Sequence, residues 1–239
     1  MEQKLINGDC MEVIKEIPDR SISCVLTDPP YGIDYQSARR IDTERFNKLE
    51  GDKSIDVRFI KEAFRILKED GAFYLFTRWD VYHEWIKATK EVGFTIKNCI
   101  IWDRVVHGLG DLNGSYAPTY DMIIFAVKGK HILKDKRPKD VIRIKRVDAD
   151  KLVHPTQKPI ELIRHLIKNS TEEGECVFDG YAGSGTTAKA CKELNRGYIC
   201  VEIDKNYFDI MQKRLSQETL KLNNEVGIPP KPKGVGYPA

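Results

Sequence analysis

The sequence predicts an α/β fold with a mostly parallel sheet, and three observations support this prediction. Short apolar runs alternate along the chain with amphipathic runs, as they do where helices cover both faces of a parallel sheet. A glycine-rich turn follows the apolar run at 175–178, and an Asp-Pro-Pro segment follows the apolar run at 22–27. Since the carboxyl ends of parallel strands meet at one edge of such a sheet, we expect both loops to face one ligand site.

The first half of the chain alternates between predicted strands and helices. Continuous apolar runs predict strands, whereas apolar residues spaced three and four positions apart predict helices. The helix at 55–68, for example, places Phe59, Ala63 and Leu67 on one face. In chain order we expect a strand at 4–7, a helix at 11–17, a strand at 22–27, a helix at 55–68, a strand at 72–77, a helix at 81–92 and strands at 94–102 and 120–127.

The second half resumes the alternation after a basic segment. Pro159 suits the first position of a helix at 159–169, and Met211 and Leu215 lie on the inward face of a last helix. The elements expected here are a helix at 159–169, a strand at 175–178, a helix at 186–194, a strand at 198–201 and a helix at 205–215. Proline and glycine in 227–239 predict a disordered tail, so we expect one domain over 1–226.

Composition excludes several classes of protein. Apolar residues make up 41% and charged residues 31% of the chain, and no apolar run approaches the roughly 18 residues of a membrane span. The six cysteines form no CxxC pair, and the amino-terminal residues lack the order of a signal peptide, which predicts a cytoplasmic protein without a zinc knuckle. No histidine spacing predicts a metal site. No cysteine follows a proline, which argues against cytosine-C5 methylation.

A basic segment interrupts the chain between Lys130 and Lys151. It holds nine Lys and Arg residues against four Asp, whereas the net charge of the whole chain is only +3. Such a segment is commonly a solvated loop, but clustered cations also bind phosphate through the release of counterions. We therefore keep both interpretations, with Lys136, Arg137, Arg143, Lys145 and Arg146 as the candidate contacts to the phosphates of a nucleic acid.

The glycine-rich turn predicts a nucleotide-cofactor site. Gly183-x-Gly185-x-x-Ala188 satisfies the dinucleotide fingerprint, and Glu202 follows at the spacing of a ribose-binding carboxylate, so an NAD-dependent dehydrogenase is one alternative. Thr186 occupies the position of the phosphate-loop lysine, which argues against an ATPase. Asp179 would repel a pyrophosphate but attract the ammonium of S-adenosylmethionine, while the helix beginning at Thr186 could face the methionine carboxylate.

The second loop carries the candidate catalytic residues Asp28, Pro29, Pro30 and Tyr31. Two prolines stiffen the backbone as it leaves the strand, which would aim the Asp28 carboxylate and nearby carbonyls at one point. Acceptors that bind both hydrogens of an aromatic amino group make its nitrogen lone pair available for attack on a methyl donor. Tyr31 would stack on the base, which must first leave the duplex. A rigid loop without chemistry is the alternative interpretation.

Together, these motifs resemble the amino-group DNA methyltransferases. Asp28-Pro-Pro-Tyr31, His154-Pro-Thr-Gln-Lys-Pro159 and Phe178-Asp-Gly-Tyr-Ala-Gly-Ser-Gly185 occur in the order typical of the beta class of that family, over residues 5 to about 215. The resemblance implies a class I S-adenosylmethionine-dependent methyltransferase fold, which is Rossmann-like. Its motif order would be circularly permuted, beginning close to the third strand, and its mostly parallel sheet would have one antiparallel strand near 120–127.

The resemblance also assigns roles to residues. It implies that Asp9 and Cys10 lie near the cofactor adenine, that Glu202 meets the ribose, and that the block from His154 helps to bind the methionine moiety. The full set of cofactor-binding residues that it implies is Asp9, Cys10, Asp28, His154, Thr156, Lys158, Phe178, Asp179, Gly180, Ala182, Gly183, Ser184, Gly185, Thr186, Glu202 and Ile203. The insertion at 128–153 would be a short target-recognition region.

The substrate expected from the resemblance is adenine N6 in double-stranded DNA. An aspartate before Pro-Pro-Tyr is similar to the adenine enzymes, and cytosine N4 is the alternative. Methylation of RNA or protein and a DNA-binding protein without chemistry remain open as further alternatives. A homodimer and a cognate restriction endonuclease remain open as partners.

Overall fold

The computed structural model describes residues 2–30, 57–107, 113–154 and 156–225, and the side chains of its last helix as far as residue 216. The strands are β1 Gln3–Asn7, β2 Ile22–Thr27, β3 Leu67–Thr77, β4 Thr95–Asp103, β5 Tyr120–Val127, β6 Val141–Arg143, β7 Cys176–Asp179 and β8 Gly197–Glu202. The α-helices are α1 Cys10–Glu16, α2 Arg58–Ile66, α3 Tyr82–Val92, α4 Ile160–Ser170, α5 Thr186–Glu193 and α6 Lys205–Glu225, and a 3-10 helix spans Ala149–Lys151. The expected tail at 227–239 lies outside the described residues.

The eight strands form one sheet in the order β1-β8-β7-β2-β3-β5-β4-β6. Strands β1, β8, β7, β2 and β3 are mutually parallel, β5 runs antiparallel to both β3 and β4, and β6 is parallel to β4. Seven strands therefore share one direction. The expected mostly parallel sheet with one antiparallel strand at 120–127 is confirmed, as is the permuted order of the class I methyltransferase fold.

Two hydrophobic layers cover the sheet. One contains buried residues of α4, α5 and α6, such as Leu166, Cys191 and Met211. The other contains buried residues of α1, α2 and α3, such as Ile14 and Trp85. Because both faces are covered, every residue of the central strand β2 is buried, which explains its continuous apolar run. No helix of the described residues is long and apolar enough to cross a membrane.

The junction between α2 and β3 differs from the prediction. The helix ends at Ile66 rather than at Lys68, because Leu67 already pairs with Ile22 of β2. The buried Lys128 then donates from Nζ to the carbonyl oxygens of Phe64 and Leu67, at 2.8 Å each. This lysine supplies hydrogen bonds that carbonyls at a helix end otherwise lack.

The basic segment at 130–151 also differs from the predicted loop, because part of it is a strand. Residues Val141–Arg143 form strand β6, which pairs with Ile101–Asp103 at the end of β4. A three-residue strand at the edge of a sheet is too short for a hydrophobic period to reveal it. Its formation depends on β4, which lies about 40 positions earlier in the chain.

Candidate active site at the carboxyl edge of the sheet

The order of the strands brings the predicted loops together. Strands β1, β8, β7 and β2 are parallel neighbours, so their carboxyl ends lie side by side along one edge. From β7 the chain continues through α5 to β8 on one side, and from β2 it continues through α2 to β3 on the other side. The gap between β7 and β2 is therefore the switch point at which open α/β sheets bind ligands.

Glycine is required in the turn between β7 and α5 for reasons of space and backbone conformation. Gly183 and Gly185 have φ angles of 53° and 79°, in the left-handed region. A Cβ on Gly180 would collide with the Sγ of Cys10, and one on Gly183 would lie 3.2 Å from Nε2 of His154. The loop backbone is therefore packed directly against two other predicted site residues.

Asp179 lies at the base of this loop, and its oxygens accept three hydrogen bonds from within the protein. Thr187 Oγ1 donates to Oδ2 at 2.5 Å, and Thr27 Oγ1 and the Tyr181 amide donate to Oδ1 at 3.2 and 3.1 Å. Burial raises the pKa of Asp179 to about 6, although these hydrogen bonds act in the opposite direction. The carboxylate thus ties β2, the loop and α5 together, and these partners were not predicted from the sequence.

Glu202 lies at the end of β8, beside the loop. Its Oε2 accepts from the Gly183 amide at 2.7 Å and its Oε1 accepts from the Asp204 amide at 2.9 Å. Burial raises the pKa of this carboxyl. The next residue, Ile203, is half exposed, so the end of β8 offers a carboxylate and an apolar side chain together.

The end of β1 joins the same edge. Asn7 donates from Nδ2 to the carbonyl oxygens of Glu202 and Ile203 at 2.8 and 3.2 Å. Asp9 caps α1 by accepting from the Met11 amide at 2.7 Å, and Cys10 is buried under the glycine-rich loop. The predicted residues at 9 and 10 are therefore next to the ends of β8 and β7.

His154 packs on the glycine-rich loop from the other side. Its ring lies against Gly183 and makes an edge contact with Tyr207, with centroids 4.2 Å apart. Its Nδ1 lies 3.3 Å from the Thr156 amide, which donates to it. Burial lowers the pKa of His154 to about 4, so the imidazole is neutral at pH 7. A neutral, hydrogen-bonded ring fits a positioning role.

Asp28, one residue beyond β2, forms an ion pair with Lys158. Lys158 Nζ donates to Oδ2 of Asp28 and also lies 4.9 Å from the centre of the Phe76 ring. Both charged side chains are largely shielded from solvent, and the next residue, Pro29, is buried. The pair connects two predicted blocks that are 130 positions apart. Tyr31 lies outside the described residues.

The remaining predicted loop residues are also at this edge. Phe178 is the buried penultimate residue of β7, and Arg214 of α6 donates to the carbonyl oxygen of Ser184 at 2.5 Å. The loop and first helical turn are held by buried residues, which are Ala182, Ser184, Thr186 and Thr187.

The five basic candidates divide into two groups. Arg143 ends β6 beside Asp103, and the amide of Arg146 donates to the Arg104 carbonyl, so the chain from 143 to 146 runs past the carboxyl end of β4. This is the edge that holds Asp28, because β4 runs in the same direction as β2 and β3. Lys136 and Arg137 instead follow residues whose amides bond to Asn169, near the end of α4 and the opposite edge of the sheet.

The fold and this edge define a class of protein, namely a Rossmann-like α/β protein with a cofactor loop beside a strand end that bears an ion-paired carboxylate. The family model for N6/N4 DNA methylases matches residues 22–213, and the chain belongs to this family of amino DNA methyltransferases. The predicted recognition is confirmed. The dehydrogenase and the DNA-binding protein without chemistry are set aside, because the family is one of DNA methylases.

Individual relatives agree with the family. The Type II methyltransferase M.HpaI of Haemophilus parainfluenzae is 28% identical over 91% of this chain and 76% of its own length. The crystal structure of an M1.HpyAVI–SAM complex has a TM-score of 0.69 at 24% identity, covering 90% of this chain and all of the other. The cytosine-N4-specific PvuII DNA methyltransferase has a TM-score of 0.73 at 18% identity over 95% of this chain and 93% of its own. At these identities the two structures support the assignment of the fold alone.

Proposed function

We propose that the protein transfers the methyl group of S-adenosylmethionine to N6 of adenine in double-stranded DNA. The observation that carries the proposal is the Asp28–Lys158 ion pair at the switch point, one strand away from the glycine-rich loop. A carboxylate held there by a buried ammonium can meet an amino group delivered from solvent, while the neighbouring loop holds the methyl donor.

The residues at the edge fit S-adenosylmethionine. Glu202 offers carboxylate oxygens for ribose hydroxyls, and half-exposed Ile203 offers an apolar surface for adenine. The amides at the start of α5 suit the methionine carboxylate. Asp179 supplies negative charge near the methionine ammonium, although its oxygens already accept hydrogen bonds from Thr187, Thr27 and Tyr181. When bound, the cofactor supplies an activated methyl group.

The role of Asp28 is to accept one hydrogen of the target amino group. The Pro29 carbonyl would accept the second hydrogen, and both contacts would turn the nitrogen lone pair toward the methyl group. Lys158 restricts the orientation of the carboxylate through its contact with Oδ2. The same carboxylate would take the proton that the amino group loses after transfer. Tyr31, immediately after the two prolines, would stack on the extruded base.

DNA reaches this edge from the side of β4 and β6. We propose that Arg143, Lys145 and Arg146 contact the DNA backbone, because they lie on the edge that carries Asp28. Lys136 and Arg137, which the sequence also predicted as DNA contacts, lie earlier in the connection and are secondary candidates. The recognition region would be the segment 128–153 within a single domain spanning 1–226.

The choice of base is the finest part of the proposal. Adenine N6 and cytosine N4 are both amino groups conjugated to a ring, so Asp28 can accept from either. The aspartate before Pro-Pro-Tyr favours adenine through its resemblance to the adenine enzymes. Cytosine N4 is the second candidate, because the cytosine-N4-specific PvuII DNA methyltransferase shares the fold.

The decisive experiment measures transfer and product together. Unmethylated plasmid DNA is incubated with the protein and S-adenosylmethionine that carries a labelled methyl group, and the DNA is then digested to nucleosides and analysed by mass spectrometry. We expect label in N6-methyladenine. Label only in N4-methylcytosine would overturn the adenine assignment and leave the amino-group mechanism standing. Absence of label from DNA would contradict the proposed activity.

The catalytic role of Asp28 is tested by Asp28→Ala. We expect methyl transfer to fall at least about a hundredfold, the loss typical when one group that stabilises a transition state is removed. Affinity for S-adenosylmethionine, measured by isothermal titration, should stay within a few fold of wild type. Asp209→Ala, which removes an exposed carboxylate on α6, is the control. Transfer within a few fold of wild type in Asp28→Ala would refute the role.

A cytoplasmic location and a paired restriction endonuclease are part of the proposal. M.HpaI is named a Type II methyltransferase, and we propose that this chain likewise belongs to a restriction-modification pair. Co-expression with endonucleases encoded near its gene would test the pairing, because methylated DNA should resist the cognate enzyme.

A further inference from the structure

Trp79 is the one tryptophan of the chain that lies in solvent. The chain contains three, and the other two, Trp85 and Trp102, are 0% and 2% exposed, whereas Trp79 is 70% exposed. Single exposed apolar residues are common and need no explanation by themselves. Trp79 differs from other exposed apolar residues in its location at the carboxyl edge and in the ion pair that holds its backbone.

Trp79 lies at the carboxyl edge, beside the catalytic loop. Strand β3 ends at Thr77, and in the parallel pairing of β2 with β3, Thr27 is opposite Leu75. Asp28 is therefore opposite Phe76, and Trp79 lies three positions further along the neighbouring strand, two residues beyond its end. Neighbouring strands are about 4.8 Å apart, and three residues add roughly 10 Å along the strand direction. The glycine-rich loop lies on the other side of β2, so Trp79 is away from the proposed cofactor site.

The residues on either side of Trp79 hold its backbone in place. Arg78 donates from Nε and Nη2 to the two carboxylate oxygens of Asp80, at 3.2 and 2.8 Å. This two-point ion pair spans Trp79, and α3 begins shortly afterwards at Tyr82. On the other neighbour of β3, strand β5 begins at the same edge with Tyr120, which is 42% exposed. The indole is thus presented outward by a turn that the Arg78–Asp80 ion pair holds, at the edge where β5 begins.

We propose that Trp79 stacks on a base of the DNA next to the extruded target nucleotide. Extrusion breaks the stacking of the neighbouring bases, and an exposed aromatic ring can replace the lost contact. An indole fits any base, because every base offers a flat face, and it has few torsions to fix on binding. This inference rests on the proposed function, since it takes DNA as the partner and an extruded base as the intermediate.

Tryptophan fluorescence reads this contact directly. Trp85 and Trp102 are buried, so quenching by acrylamide reports mainly on Trp79 in the free protein. We expect unmethylated plasmid DNA, in the presence of S-adenosylhomocysteine, to quench the emission and to protect it from acrylamide. The variant Trp79→Phe should lose both effects. Protection that persists in Trp79→Phe, or emission unchanged by DNA in wild type, would overturn the contact.

Steady-state kinetics supply an independent readout. Trp79→Ala should raise the KM for plasmid DNA at least about tenfold, the scale on which aromatic stacking contributes to binding single bases. Trp79→Phe should recover most of this loss, and affinity for S-adenosylmethionine should be unchanged in both. Glu91→Ala is the control, because Glu91 is exposed near the end of α3, where the chain has returned to the opposite edge of the sheet.

The two proposals fail in different ways. If the protein does not methylate DNA, wild type transfers no label and the proposed function is wrong. If wild type methylates DNA but Trp79→Ala has the same KM for DNA as Glu91→Ala, the stacking role is wrong and the methyltransferase stands. Unchanged thermal unfolding of Trp79→Ala will confirm that the variant is folded.

Discussion

Asp179 has hydrogen-bond partners that its position in the sequence did not suggest. The sequence predicted a carboxylate aimed at the ligand ammonium, but its oxygens accept from Thr27, Tyr181 and Thr187. In a buried site with a low dielectric constant, its charge can still favour a cation at a short distance, and its hydrogen bonds fix the shape of the loop. We therefore expect its effect on the cofactor to be mainly electrostatic and organising.

The raised pKa of Asp179 predicts a pH-dependent affinity for the cofactor. The pKa of about 6 means that the carboxyl is mostly neutral at pH 5 and ionised at pH 7.5. Because only the ionised form attracts the ammonium, affinity for S-adenosylmethionine should rise by up to about tenfold over this interval. Isothermal titration at both pH values will measure it. Asp179→Asn should bind about equally at both, and a full pH response in this variant would refute the assignment.

His154 predicts a dependence of stability on pH. Its folded-state pKa is lowered to about 4 by burial, whereas the ordinary value is 6.5. Between these values the unfolded chain binds more protons, so the free energy of unfolding is largest above pH 6.5 and falls as the pH drops toward 4, by roughly 3 kcal/mol. Asp179 contributes with the opposite sign, since its raised pKa makes the folded state lose stability as the pH rises toward 6.

The contribution of His154 is isolated by a variant. His154→Asn keeps an acceptor for the Thr156 amide but has no titrating ring, so its free energy of unfolding should fall less than that of wild type between pH 7 and pH 4.5. Urea unfolding at the two pH values measures the difference. His83→Asn, at an exposed position on α3, is the control and should follow wild type. A His154→Asn curve parallel to wild type would contradict the buried neutral imidazole.

At the scale of elements, strand β6 determines which basic residues lie near the candidate active site. By pairing with the end of β4, it carries Arg143 and the residues after it to the edge that holds Asp28. The earlier part of the segment is tied to Asn169 at the end of α4 by the amides of Lys134 and Asp135. One run of basic sequence therefore has two different positions relative to the site.

This division predicts unequal effects of equal changes in charge. Arg143→Gln with Arg146→Gln should weaken DNA binding and lower the slope of log K against log salt by about 2, because two phosphate contacts are lost. Lys136→Gln with Arg137→Asn should leave the slope nearly unchanged; asparagine is used because Arg137 has a φ of 52°. Binding to plasmid DNA across a salt series measures both. Equal slopes in the two double variants would refute the division.

At the scale of the whole molecule, the site joins segments from both ends of the chain. Strands β1 and β8 pair along Gln3–Asn7 and Tyr198–Glu202, and the site also takes residues from the ends of β7 and β2. The cofactor would therefore contact segments that come together only in the folded chain. A ligand that binds only the folded state stabilises it by mass action.

Thermal unfolding tests this coupling. At about a hundred times its Kd, S-adenosylmethionine should add about 2.7 kcal/mol to the free energy of unfolding, which corresponds to a rise in Tm of roughly 5–10 °C for a chain of this size. Nicotinamide adenine dinucleotide at the same concentration is the control and should produce no rise. If only the dinucleotide raised the Tm, the glycine-rich loop would be a dinucleotide site, as in a dehydrogenase.

The sequence by itself determined the order of strands and helices and the loops that bear the chemistry. Buried parallel strands are continuous apolar runs, and the turn at Gly183 and Gly185 needs left-handed φ angles, so both leave a local signature. The motif at Asp28, the glycine-rich loop and Glu202 were accordingly located without a structure, and the resemblance added the antiparallel position of 120–127.

Only the tertiary structure decided which partners these residues have. The Asp28–Lys158 pair spans 130 positions, the Thr27 contact to Asp179 spans 152, and β6 exists because β4 offers it an edge. The exposure of Trp79, set against the burial of Trp85 and Trp102, depends equally on how distant segments pack. Backbone conformation and hydrophobic period are properties of neighbouring residues, whereas these contacts arise only when strands from distant parts of the chain share one edge.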